Sequence, residues 1–473
     1  MNSAVPDRLL AGLGRTESGP EVLRMLVEDQ HTRRLLLFRA LLDAVRDAPR
    51  DALPQHVRDR VHRHWSLLEA ADGADRATAR KVLFYPLVGP WLHRCLRGLA
   101  ALSENAGVPA RAGTPEGRTE LLRELGHLGS LAVAAAARTG VPFALQLPVH
   151  GGRLGLPTLG VLRCGSPAVG ITGRGGDTGL TLTPAPGRET PADVRPWEHG
   201  SWWSPNPRWI PLHRLPGGPG SVLLDDLDPF RTADSGLDRH GLGATGALTL
   251  EQRAGWDAVW RGVRAELRVG GEGRALEAER LLHCLVPLVR PPGASPSTAG
   301  AAHCSGTRRE AFGAVLSSVP DTPSALAATL VHELQHAKLA ALTDRVVLHR
   351  ADGRARYWAP WRPDPRPFDG LLQGTYAHLG LADYWHRCAL STTDAARRDG
   401  AWAEHSRCHA QVSATLPALR GSRSLTPAGR ALVEGMVARH AELRERPPPK
   451  GHLARAAAYV ETARTMWRRQ RTG

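Results

Sequence analysis

Apolar positions in the first third of the chain recur at helical spacing. Leu23, Leu26, Leu35, Leu36, Phe38, Leu41 and Leu42 are set among charged residues between Val22 and Val45, close to a 3.6-residue period. This predicts a helix there, with further helical stretches at about 80–102 and 116–137, so that residues 20–145 read as helical. The Gly/Pro/Ala-rich stretch 105–114 reads as a loop. Near Gly140 the texture changes. Short β-prone runs (FALQLPV, LPTLGVLR, AVGITGR, GLTLTP, WIPLHRL, SVLLDDL) alternate with Gly and Pro up to about Arg231, which predicts strands and hairpins. Residues 173–178 and 184–194 read as loops between them. Helix returns at Thr249 or Leu250, and the Pro/Gly/Ser-rich stretch 290–298 reads as another loop. From about Ser324 the chain is mostly helical, broken by the aromatic, Pro-rich run from Tyr357 to Phe368. The expected fold class is α+β, mainly α-helical. Its expected regions are a helical one at 1–140, a β-containing one at 141–300 and a helical, metal-binding one at 301–473. No internal repeat appears at a 20–50-residue period.

Charge changes this picture less than its size suggests. The net charge is +15, yet only Lys81, Lys338 and Lys450 are lysines among 61 basic residues. Such an Arg bias is what GC-rich coding produces, and a solvated basic surface accounts for most of it. An acidic peptide is the partner the charge best suits. Nucleic acid is not expected: aromatics are 5%, and no zinc finger, RNP-type strand or basic zipper is present. The six cysteines are far apart with no Cys-x-x-Cys, which suits a reducing cytosol. His303–Cys304 and Cys408–His409 lack a second Cys/His pair at zinc-finger distance. The first residues do not form a signal peptide, and no run approaches ~18 apolar residues. The expectation is a cytoplasmic protein with no membrane partner.

Residues 332–336 read His-Glu-Leu-Gln-His. Asp321 and Thr322 are cap candidates, Pro323 suits a first turn, and Leu326, Leu330 and Leu334 form an apolar stripe, so the motif lies in a helix. His332 and His336 then leave one face a turn apart and can share a metal ion, with Glu333 about 100° around. A catalytic site needs a third protein ligand. His378, 42 residues on in a second helical run, is the best candidate; Asp369, Asp383 and His386 compete. Arg362 and Arg366, between the two helices in a stiff Pro-rich loop, suit a carboxylate. The alternative is that they stack on Trp358 or Trp361 and pair with Asp364 and Asp369.

The run AFGAVLSSVPDTPSALAATLVHELQHAKLAAL, followed by APWRPDPRPFDGLLQGTYAHLGLADYW, resembles the HExxH-motif proteins of ribosomal-peptide (RiPP) gene clusters, which also occur fused to radical-SAM enzymes. The helix EVLRMLVEDQHTRRLLLFRALLDA and the LDDLDPFR segment are similar to that family too. The resemblance implies an iron(II)/2-oxoglutarate-dependent peptide β-hydroxylase. His332 and His336 would be iron ligands, His378 the third, and Arg362 or Arg366 would hold 2-oxoglutarate. The all-histidine triad departs from the usual two-His-one-carboxylate set. O₂ and 2-oxoglutarate would be consumed to give succinate, CO₂ and a Cβ-hydroxylated residue in a ribosomally synthesised precursor peptide. Glu333 has no required proton transfer in that scheme.

In a rival reading the motif is a zinc metallopeptidase acting on a precursor or leader peptide, with Glu333 as general base. The chain lacks an HxxGxxH extension and a Glu-bearing third-ligand motif. A catalytically inactive peptide-binding module is a third reading, and predicts no stoichiometric metal. Ser201, Ser204 and Ser305 lack a G-x-S-x-G setting, and Gly173-Arg-Gly-Gly is too short for a phosphate loop. Trp202, Trp203 and Trp209 read as a packed satellite core, Lys338 as half of a structural ion pair, and the Arg-rich run 464–471 as a solvated helix end.

Overall fold

Helices begin where the chain supplies a side-chain cap. Thr249 and Gln252 form a full capping box at Leu250–Leu267, and Asp75, Thr114, Thr322, Asp394 and Thr426 each accept from the N–H three residues on. The computed structural model describes residues 5–102, 114–165, 168–173, 179–184, 190–217, 222–232, 247–290 and 303–472. The expected loop residues 105–113, 174–178, 185–189 and 291–298 lie outside these. The fold is α+β and mainly α-helical, with thirteen helices and several small sheets among the described residues. Among the described residues no helix is long and apolar enough to cross a membrane.

The helix expected at Val22–Val45 is Pro20–Asp47, and that at 116–137 is Pro115–Thr139. The stretch 80–102 is two helices, Arg76–Leu83 and Val88–Ala100. Pro86 stands between them, where it supplies no N–H and bars the residue before it from helical angles. The expected loop 184–194 is corrected at its end. Ala192–Pro196 is a strand, because buried Ala192 and Val194 alternate with exposed residues against Leu180–Pro184.

Two five-stranded sheets organise the middle of the chain. One is antiparallel, in the order Phe143–Pro148, Ala168–Gly173, Leu180–Pro184, Ala192–Pro196, Trp202–Trp203. The other is mixed: Ser305–Gly306, Ala314–Ser318, Cys284–Leu288, Leu223–Leu224, His213–Arg214. Its parallel strands Cys284–Leu288 and Ala314–Ser318 are buried at every residue, as strands covered on both faces must be. This sheet crosses the boundary expected at 300/301, which is therefore not a domain edge. The boundary at 140/141 fares likewise, since Phe38, Trp91 and Leu131 share one core with Ile171, Leu182 and Leu316. The start of the chain belongs to the C-terminal core: Leu10 and Leu13 pack with Leu432 and Met436. Helix Asp7–Gly14 meets helix Pro427–Glu442 at glycines, where a Cβ on Gly14 would lie 2.1 Å from Leu432 O. Trp202 and Trp209 are packed as expected, but Trp203 is exposed and lies against exposed Trp197.

The motif helix, Pro323–Arg345, buries fourteen of its 23 residues. Being covered on most sides makes it an interior helix rather than a surface one. Lys338 lies wholly inside, ion-paired to Glu277, with Nζ also donating to Thr16 O at 2.8 Å. Arg274 bonds Glu277 at 3.0 Å and Asp383 at 2.9 Å. Arg387 and Arg439 close the network on Asp383. Burial alone would raise the Glu277 and Asp383 carboxyls. Their cationic neighbours overcome it and hold both below the usual range, while burial pushes Lys338 down to about 8. Thr16 sits at φ +69°, a conformation costly for a β-branched residue. Bonds to its carbonyl and hydroxyl from Arg274 and Lys338 hold it there.

Glu277→Gln leaves two buried cations short of charge, so it should cost about 3–5 kcal/mol in urea unfolding of the metal-free protein. A loss below about 1 kcal/mol would show that the network carries little. A second prediction concerns acid. His386, His405, His409 and His440 form a ladder of rings with neighbouring centroids 4.8, 5.5 and 4.1 Å apart. Burial depresses all four, His405 to about 4 and His409 to about 3. They stay neutral in the folded state, while the unfolded chain takes up protons below about pH 6.5. Stability is thus fully present above about pH 6.5 and falls as the pH drops toward 4. A thermal midpoint unchanged between about pH 7 and 5 would contradict this.

Candidate metal centre

Thr322 Oγ1 accepts from Ala325 N at 3.1 Å, and Pro323 opens the motif helix, which leaves directly after the buried strand Ala314–Ser318. A short rigid connection therefore sets the helix phase. Buried Leu326, Leu330 and Leu334 face the core, and His332 and His336 turn toward a cleft of ≈ 690 Å³. That is the size range of ligand sites. The second helix, Phe368–Ser391, packs on the first and brings His378 to the same cleft.

The Nε2 atoms of His332 and His336 are 3.2 Å apart. Two nitrogens each about 2.0–2.1 Å from one ion stand about 2.8–3.4 Å apart at angles near 90–110°, so the pair already has a chelating span. His336 Nδ1 bonds Gln373 Oε1 at 3.2 Å. His378 Nδ1 donates to Gly374 O at 2.8 Å, and burial holds this ring down to about 3, hence neutral. With the proton on Nδ1, each of these rings offers Nε2 as a lone pair, as a metal-bound imidazole does when its other nitrogen donates to an oxygen. His332 Nδ1 is buried with no partner. The three rings lie edge to face, His332 to His336 at 4.8 Å and to His378 at 5.3 Å between centroids. Among the described residues no three His, Cys, Asp or Glu side chains close a metal cage. The pair is formed and His378 stands one ring away, pinned by Trp361 stacked on it at 4.3 Å. Trp361 fits because Gly374 has no side chain: a Cβ there would meet Trp361 Cζ2 at 2.4 Å.

The competitors for third ligand separate clearly. Asp383 is spent in the ion-pair network on the far side of its helix. His386 faces Trp402 and His405, with Nε2 donating to Arg446 O at 3.0 Å. Asp369 does line the cleft, with its carboxylate 3.5 Å from His349 Nε2. Glu333 also lines it. The side chain is buried and accepts from Ser305 Oγ at 2.7 Å, and burial raises its carboxyl above the usual range. His303 is held by Ser318 and Thr329, and Cys408 is a buried thiol pushed up to about 12; neither Cys/His dipeptide makes a ligand pair.

The expected stiff loop is in fact a hairpin, Tyr357–Ala359 with Arg362–Arg366. Pro363 and Pro365 are tolerated because they alternate with Arg362 and Arg366, which are in register with the facing strand, so their missing N–H groups fall on the ribbon's outer side. Arg362 and Arg366 both line the cleft and share Asp364, at 3.0 and 3.3 Å. Neither stacks as expected: Trp361 covers His378, and Trp358 carries Arg464 of the last helix, Lys450–Thr472, with its guanidinium carbon 4.8 Å from the ring centre. The sequence set Ser305 aside for want of a G-x-S-x-G setting, and gave no sign of its bond to Glu333, of the Gln373–His336 bond or of Trp361 over His378. Only Gln373, a polar residue in an apolar run, carries a local signal. No protein-family model matches the chain, and no curated protein matches it.

His332→Ala and His336→Ala should each leave no stoichiometric Fe(II) or Co(II) in equilibrium dialysis. Gln373→Ala, which frees the His336 ring, should weaken the metal by about 10–100-fold. Unchanged metal content in the histidine variants would remove this assignment.

Proposed function

We propose that the chain is an iron(II)/2-oxoglutarate-dependent hydroxylase that acts on a Cβ of a ribosomally synthesised precursor peptide. The observation that carries this reading is a single cleft holding the paired His332 and His336 imidazoles, His378 and two guanidinium groups. The resemblance of residues 311–385 to the HExxH proteins of ribosomal-peptide clusters supports it. His332, His336 and His378 would hold the iron. When bound, iron with 2-oxoglutarate and O₂ supplies the oxidising power to replace a Cβ hydrogen by hydroxyl, releasing succinate and CO₂. Arg362 and Arg366 offer planar forks for a dicarboxylate, and Asp364 orients both. Trp361 keeps water from one face of His378. Glu333, tied to Ser305, forms a fixed wall of the cleft without transferring a proton. The six widely spaced cysteines suit a reducing cytoplasm.

A second reading, zinc-dependent cleavage of the peptide, draws on one observation: Glu333 shares the cleft with the imidazole pair, where a general base for a metal-held water would stand.

The test is a mass spectrum of a candidate precursor peptide after anaerobic loading with Fe(II), then addition of 2-oxoglutarate and air. A gain of one oxygen, matched by succinate and absent without either addition, is expected. Cleavage that needs zinc and ignores 2-oxoglutarate would make the chain a peptidase. Arg362→Ala or Arg366→Ala should raise the 2-oxoglutarate KM at least about tenfold, the loss of a charge-assisted bidentate pair. If neither does, the co-substrate lies elsewhere.

A further inference from the structure

The antiparallel sheet ends at Phe143–Pro148, and among the described residues no strand pairs with its outer edge. A free edge presents unpaired N–H and C=O groups and recruits other chains, so proteins usually blunt it with charge, a bulge or a covering element. This edge has no charge and no bulge, and its one proline, Pro148, stands at its end. It reads FALQLP without a charged residue, and its register with Ala168–Gly173 runs unbroken through six pairs. Ala144 and Gln146 are exposed.

Facing it is one stripe of helix Gln55–Ala74. Arg60, Arg63, His64 and Leu67, at i, i+3, i+4 and i+7, line a groove of ≈ 510 Å³ with residues 142–146. The other end of the strand is clamped. Leu147 and Pro148 press on Gly129 and Gly126, where a Cβ would come within 2.3 and 2.8 Å of them. The groove is basic and its guanidiniums are little used: Arg60 Nη2 makes one long bond, to Leu122 O at 3.5 Å. Among the described residues neither Arg60 nor Arg63 has a carboxylate partner, and Arg60 Nε is buried without a hydrogen bond. His64, 4% exposed, lines the groove with no partner for its Nδ1. No residue lines both this groove and the metal cleft.

We infer that the groove binds an extended, acidic peptide segment as a sixth strand. Its backbone continues the ladder on Phe143–Pro148. Alternate side chains then point at the helix stripe, because strand side chains repeat every second residue, and carboxylates there meet Arg60 and Arg63. The uncharged free edge favours peptide over single-stranded nucleic acid, which needs stacking aromatics beside its cations; the only aromatic in the lining apart from His64 is Phe143. Under either enzymatic reading above, the site would hold a substrate by a segment other than the one that reacts.

The test uses the full-length, metal-free protein, so it is independent of the hydroxylase reading. The probe is a fluorescein-labelled peptide of alternating glutamate and valine. Saturable binding is expected. The double variant Arg60→Glu/Arg63→Glu should weaken it at least about tenfold, and so should N-methylation of every second residue of the probe, which removes ladder donors. Hydrogen exchange provides a variant-free check: the peptide should slow exchange at residues 143–147. No binding, equal binding by the N-methylated probe, or no added protection at 143–147 overturns the inference. Displacement by oligothymidylate that tracks the arginines while N-methylation has no effect would assign the groove to nucleic acid instead.

Discussion

Everything at the candidate centre depends on a buried charge network that ties together three helices. Lys338 stands two residues past His336, Asp383 five past His378, and Arg274 with Glu277 sits on a third helix, Gly273–Leu281, between them. Ion pairs in a dry interior are expensive to assemble and more expensive to break one partner at a time. Such a network therefore tolerates few alternative packings. The helix phases that bring His332, His336 and His378 to one cleft are held by it together with the apolar contacts of Leu330, Leu334 and Leu379.

That constraint also explains the position of the chain's first residues. Thr16 bonds Arg274 and Lys338 through its carbonyl, and Ser18 N bonds Glu277. The opening segment thus completes the polar shell of the C-terminal helices, and helix Asp7–Gly14 is fastened onto the last third of the chain. A molecule expected to fall into successive regions is interleaved instead, with one mixed sheet drawing strands from two of them.

The cleft combines fixed and adjustable parts. The His332–His336 pair has its span without any rearrangement, because both side chains leave one interior helix. His378 is positioned by a hairpin, through Trp361, and the hairpin is backed by the last helix through Arg464 on Trp358 and Tyr459 on Pro360 O. Two-stranded ribbons are marginal by themselves. The ring that pins the third donor and the two cleft arginines therefore ride on one supported element, and the groove at the free sheet edge lies on different ones.

The sequence by itself determined the elements with strong local physics. Helix Pro20–Asp47 follows from its apolar period, Leu250–Leu267 and Pro323–Arg345 from their caps, the strands from alternation between Gly and Pro, and the His332/His336 pair from i, i+4 spacing. Lys338 was legible as an ion-paired residue because lysine is so rare in this chain. Its partner was not, since Glu277 is 61 residues away and no local rule links them. The same holds for Ser305 with Glu333, Gln373 with His336, and Trp361 over His378. Each is a contact between elements, fixed by how helices and strands pack. Only the tertiary structure removed Asp383 and His386 from the ligand candidates, by spending them elsewhere, and only it left, among the described residues, one sheet edge open beside two arginines with no carboxylate partner. Local periodicity reports which face a residue takes, whereas the neighbour across that face is decided by packing.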